Sequence, residues 1–132
     1  MQWLSMVKVN FDVNQPVIVL DVAIKGKVIE NAKMALDTGA TYIMIPWKIA
    51  KVLGLEPEVA KERIDMTTAS GVEKVPLMNL ESVSVLGKTA HNVKAIIHDL
   101  PHRSYVDGLL ELSFLRYFNL HLNFGEGYLE LE

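Results

Sequence analysis

The chain has no cysteine, which excludes disulfides and thiol chemistry and leaves the fold to stand on packing alone. That usage suits a reducing compartment, and a cytoplasmic location is expected. Long apolar runs are missing too. None approaches the roughly twenty residues of a membrane helix, and the opening "MQWLSMVKVNF" lacks a basic region followed by an apolar stretch. A soluble protein with no membrane segment is expected, although a domain cut from a longer anchored chain would read the same way. An excess of positive charge is also absent: 13 Lys and Arg stand against 16 Asp and Glu, for a formal charge of -3. The basic residues are scattered, so no stripe tracks a phosphate backbone and nucleic acid is not an expected partner. Glycine-rich phosphate motifs are lacking, and Ser70 and Ser113 have no Gly-x-Ser-x-Gly setting.

What is present is a core. Half of the 132 residues are hydrophobic and 22% are charged, the balance of a compact domain, and the length fits one domain over residues 1–132. Residues alternate or run β-branched in "MVKVNF" (6–11), "PVIVLDVAI" (16–24) and "VIENAKMAL" (28–36), with "NQP" and "KGK" as turns. "TYIMI" reads as another strand. "PWKIAKVLGL" reads as a two-turn helix with Pro46 in its first turn and Gly54 at its C-terminal cap. Residues 64–87 read as two strands joined by a tight turn at Ala69-Ser70-Gly71, and 88–98 as a further strand. "LLELSFLRYF" (109–118) has apolar residues at helical spacing, and the end of the chain reads as a hairpin about Gly125 and Gly127. The sum is an all-β closed barrel with two short helices.

One segment carries chemistry: "MALDTGATYIMIP", residues 34–46. Asp, Thr and Gly are all turn formers, and a turn is the plain reading of Asp37-Thr38-Gly39. Yet this turn lies between "MAL" and "YIMI", segments that ought to be buried, and burying a carboxylate is costly without a compensating role. Two such carboxylates facing one another supply a role. At close range they cannot both ionise, so they share one proton, one serving as general base toward a water and the other as general acid.

"ALDTGAT" followed by "IP" and a short helix ending in "LGL" resembles the active-site segment of retropepsin-like aspartic proteases, particularly their small single-domain bacterial members. "DGLLELSFLRYFNLHLNFGEGYLEL" is similar to their C-terminal segment. The resemblance implies that Asp37 is the catalytic acid, that Thr38 ties two active-site loops together across a dimer, and that Gly39 lets backbone approach substrate. It implies a homodimer acting on peptide or protein, since one Asp-Thr-Gly per chain needs a second copy. Asp107-Gly108 lacks the intervening Thr and is not a second site. No metal or organic cofactor is implied. Ala40 and Thr41 after the acid turn, and Thr68, Ala69, Ser70 and Gly71 with Thr67 as a flap, are the implied substrate contacts. Read without the resemblance, the flap is an ordinary surface hairpin. Ala40 stands where pepsin-like enzymes carry a hydroxyl that bonds the catalytic carboxylate, so the pair should titrate higher and activity should lie at mildly acidic to near-neutral pH.

The chain departs from the family where a glycine is expected after paired hydrophobics: Leu109 and Leu110 are followed by Glu111. Either the chain bulges and Glu111 reaches solvent, or the support under the active-site loop is altered. Leu112 replaces a basic residue that helps join viral protomers. His98, Asp99 and His102 would suit a metal only on a helix, which Pro101 opposes. His91 and His121 read as surface or packing residues, Met34, Met44, Met66 and Met78 as core filler, and Trp47 as packing for the first helix. Tyr42 fits either core or pocket. Two functions follow: an aspartic endopeptidase, favoured by Asp-Thr-Gly-Ala, or a protease-fold module that binds peptide or only dimerises, favoured by Glu111.

Overall fold

The computed structural model describes residues 7–132; Met6, at the start of the first expected strand, lies outside them. Strand β1 (Val7–Asn10) is followed by β2 (Val19–Lys25), β3 (Ile29–Leu36) and β4 (Ile43–Ile45), then helix α1 (Trp47–Val52) and a 3-10 turn at Pro57–Val59. The chain continues through β5 (Glu62–Thr68), β6 (Gly71–Val85), β7 (Lys88–Ile97), β8 (Gly108–Leu110), helix α2 (Leu112–Leu115), β9 (Leu120–Asn123) and β10 (Tyr128–Leu131).

Six strands close on themselves in the order β2-β3-β8-β4-β7-β6, with β6 pairing back onto β2. Closure removes two sheet edges. It depends on the 15-residue length of β6. Ser82–Val85 at its far end pair with β2, whereas Gly71–Leu77 at its near end pair with β5, which stands outside the ring. A separate three-stranded sheet, β1-β10-β9, brings the two ends of the described chain together.

The alternation read from the sequence sets the inward faces. In β2, Leu20, Val22 and Ile24 point into the barrel while Val19 and Asp21 face out. They meet Met34, Ile43, Ile45, Leu80, Val83, Val85 and Ile97 in one core, which α1 closes with Ile49, Ala50 and Leu53 and α2 with Phe114. Met34 is core filler as expected, and Trp47 packs against the same core. Pro46 is the N-cap of α1, and Gly54, with φ +81°, follows its C-cap Leu53.

The stretch 109–118 is helical over four residues only. Its first part is a strand because Leu109 and Leu110 pair in parallel with Ala35 and Leu36 of β3, and Leu109 also pairs with Met44 of β4. A three-residue strand squeezed between two others needs a close approach. A Cβ on Gly108 would lie 2.1 Å from the Met44 carbonyl oxygen, so only glycine fits there. Among the described residues, no helix is long and apolar enough to cross a membrane.

Candidate active site

Asp37 is the first residue after β3. Its backbone N–H donates to Leu110 O of β8 at 2.9 Å, so the strand pairing that closes the barrel also fixes where the acid begins. The carboxylate Oδ1 accepts from Gly39 N at 2.9 Å, the short-range bond expected of an aspartate in a turn. Asp37 is half-buried, while Thr38 and Gly39 are exposed.

The far side of the turn is held by the segment after β8. Leu112 N donates to Ala40 O at 3.2 Å and Ser113 N to Thr41 O at 2.6 Å. The buried Ser113 hydroxyl in turn accepts from Ile43 N at 2.9 Å. These bonds satisfy backbone groups that the irregular turn would otherwise leave orphaned inside the protein. Residue 111 is clasped between the two sets, and of the two alternatives read from the sequence the solvent-facing one is overturned. Glu111 does not reach solvent: it is 2% exposed and faces the same cleft as Asp37. Burial, and secondarily the Asp37 charge, push its carboxyl up to about 8.

The cleft has a volume of about 550 Å³. Asp37, Ala40, Thr41 and Glu111 form one wall, and Ile64, Asp65, Met66 and Thr67 of β5 form another. Its floor is apolar, because a second small cluster of Met44, Val75, Leu77 and Ile96 lies beneath, with Tyr42, Ile64, Met66, Leu100 and Leu109 packed against it. Tyr42 thus serves core and cleft together. His98 and Asp99 stand at the far side. His98 Nδ1 lies 3.2 Å from Glu73 Oε1, and Asp99 Oδ1 accepts from Trp47 N at 2.9 Å. No three His, Asp or Glu side chains among the described residues are grouped to hold a metal ion.

The sequence-derived residues are thereby divided. Asp37, Ala40, Thr41 and Thr67 come together around the cleft, and Thr38 lines a neighbouring hollow with Phe11, Ile18, Leu36 and Phe124. Thr68, Ala69, Ser70 and Gly71 form the tip of the β5–β6 hairpin beyond the cleft wall. Thr68 Oγ1 donates to Gly71 O at 3.1 Å and accepts from Ser70 N at 3.2 Å. Asp107 is engaged elsewhere: its carboxylate accepts from Lys33 N at 2.9 Å and its N–H donates to Lys33 O at 2.7 Å. Among the cleft residues that sequence reasoning passed over are Ile64, Asp65, Ile96 and Leu100. The alternation of β5, which turns Ile64 and Met66 inward, was the available signal for the first wall.

Comparison with known proteins agrees with this geometry. The family described as "gag-polyprotein putative aspartyl protease" matches residues 20–117, a span that runs from β2 through α2 and includes Asp37 and Glu111. No curated protein matches the chain. Among solved structures, a retropepsin-like aspartic protease from Rickettsia conorii superposes with a TM-score of 0.72 at 23% identity, covering 96% of this chain and 98% of that one. By its closed barrel, its matched span and this superposition, the chain belongs to the retropepsin-like aspartyl protease family.

Proposed function

We propose that the protein is an aspartic endopeptidase that works as a homodimer, with one Asp37 from each copy. The observation that carries this reading is the placement of Asp37: a half-buried carboxylate, pinned by backbone bonds on both sides, at the wall of a cleft with an apolar floor. Each chain offers one Asp-Thr-Gly, so symmetry has to supply the second acid. The exposed Thr38 and Gly39 are free to meet their counterparts.

In the dimer the two Asp37 carboxyls share one proton. The ionised one takes a proton from a water held between them while the water oxygen attacks the scissile carbonyl carbon. The protonated one gives its proton to the carbonyl oxygen, producing a neutral tetrahedral diol with no covalent link to the protein. Transfer of a proton to the departing nitrogen then breaks the C–N bond. An extended peptide lying in the cleft would place side chains on the Met44, Met66 and Ile96 floor, with the β5–β6 hairpin closing above it.

The test is cleavage of a diverse peptide library from about pH 4 to about pH 8, comparing the parent with Asp37→Asn over a range of protein concentrations. Activity that vanishes in Asp37→Asn and rises more steeply than linearly with dilute protein supports the shared pair. Absence of Asp37-dependent cleavage at concentrations where the protein is dimeric would leave a peptide-binding or dimerising module.

A further inference from the structure

Glu111 is a buried carboxyl that the hydrolytic scheme does not use. Its backbone neighbours are bonded to both ends of the catalytic turn, Leu110 O to Asp37 N at 2.9 Å and Leu112 N to Ala40 O at 3.2 Å. Its side chain is 2% exposed and shares the cleft wall with Asp37. Nothing among the described residues forms an ion pair with it, and the two influences on its proton are burial and the Asp37 charge. A carboxyl so placed meets the solvation cost of ionising without a cation to offset it.

The other titratable groups of the cleft come from every surrounding element, and three are already engaged. Asp65 of β5 is paired with Lys74 Nζ at 2.6 Å, His98 after β7 with Glu73 at 3.2 Å, and Asp99 with Trp47 N at 2.9 Å. Tyr42, on the strand side of the acid turn, completes the set. Asp37 accepts from Gly39 N on one oxygen, and Ala40 and Gly39 bring no side-chain donor. The carboxyl that can serve Asp37 from within its own chain is therefore Glu111.

We propose that Glu111 is a positioning residue that holds a proton beside Asp37 and passes it to the Asp37 carboxylate, extending the active range of the site toward neutral and mildly alkaline pH. This deepens the endopeptidase reading and rests on it. The exchange is balanced: the Glu111 O–H bond breaks as an Asp37 O–H bond forms, and one negative charge moves from Asp37 to Glu111. In a dimer with one shared proton, loss of that proton ordinarily cuts activity about tenfold for each pH unit above the pair's titration. A second carboxyl that retains its proton to about 8 flattens that decline, because a constant fraction of sites carries the proton on Asp37 while Glu111 is ionised.

The experiment compares pH profiles of kcat and KM for the parent, Glu111→Gln and Glu111→Asp. The expected result is a parent-to-Gln ratio of kcat that grows about tenfold or more between about pH 6 and about pH 8, with KM little moved and part of the loss recovered in Glu111→Asp. A ratio that stays constant with pH is what a packing role gives, and it overturns the proposal. A second readout does not depend on turnover: the Glu111 carboxyl carbon is followed by NMR titration in the parent and in Asp37→Asn. Its midpoint should fall when the Asp37 charge is removed, and an unmoved midpoint also overturns the proposal. If that midpoint falls while the parent cleaves no peptide, the endopeptidase reading fails and the proton pairing of Glu111 with Asp37 stands.

Discussion

Glu111→Gln should make the protein more stable at neutral and alkaline pH, and the size of the gain can be worked from the fold. The Glu111 carboxyl holds its proton to about 8, against an ordinary 4.5. A group with a raised folded-state value contributes stability that is fully present below the unfolded value and is lost as pH rises through the folded one. The window is therefore about 4.5 to about 8. Within it the parent loses about 1.4 kcal/mol per pH unit, which amounts to ~3 kcal/mol by neutral pH and ~5 kcal/mol at the upper end. Glutamine has nearly the same shape and does not ionise, so its curve lacks this slope. Other groups titrate in both proteins and cancel in the difference. Urea denaturation at several pH values, at one fixed protein concentration so that any self-association contributes equally, gives the difference directly. It should be small near pH 4.5, dominated by a pH-independent packing offset, and should rise steadily above it. A difference that does not vary with pH would show that Glu111 is ionised in the folded state at little cost, and the burial argument would be wrong.

Further outcomes follow from the same contacts. Gly108→Ala places a methyl 2.1 Å from the Met44 carbonyl oxygen and should cost about 3 kcal/mol or more in a urea melt, since backbone on both sides blocks relaxation; a change under about 0.5 kcal/mol would mean that β8 slides freely between its neighbours. Ser113→Ala removes the acceptor for Ile43 N and leaves a buried N–H unpaired, a loss of about 1–3 kcal/mol; equal stability of the two proteins would count against that bond. Lys74→Ala breaks an ion pair with Asp65 that is more than half exposed on both sides and should alter stability by less than about 1 kcal/mol, a bound that the same melts check.

The strands were legible wherever one face is wet. In β2 and β3, Leu20, Val22, Ala32 and Met34 alternate with exposed partners, and the period of two is plain in the sequence. It was not legible in β8. Leu110 points into the main core while Leu109 reaches the cleft floor, so both faces are apolar and a short continuous run reads as readily as helix. Asp37 was legible for the converse reason, as an acid in a run that had every sign of burial. Glu111 could be seen only as a missing glycine. Its burial comes from β3 pairing in parallel with β8, a contact between distant segments that no local pattern encodes.

That pairing ties the stability of the barrel to the chemistry of the cleft. Leu110 and Leu112 are both bonded to the Asp37 turn, so the backbone on either side of Glu111 also positions Asp37. The chain thus keeps an acid whose ionisation weakens the fold in the cleft wall it shares with Asp37, the carboxylate to which the proposed exchange delivers its proton. Glu111→Gln should therefore separate two properties that rise or fall together when a mutation merely damages a structure: gain in stability and loss of activity, both growing with pH over the same window. Measured side by side on one variant, parallel pH dependence with opposite sign would place both effects in a single proton. A stability gain with no matching change in the rate profile would assign Glu111 to the fold alone.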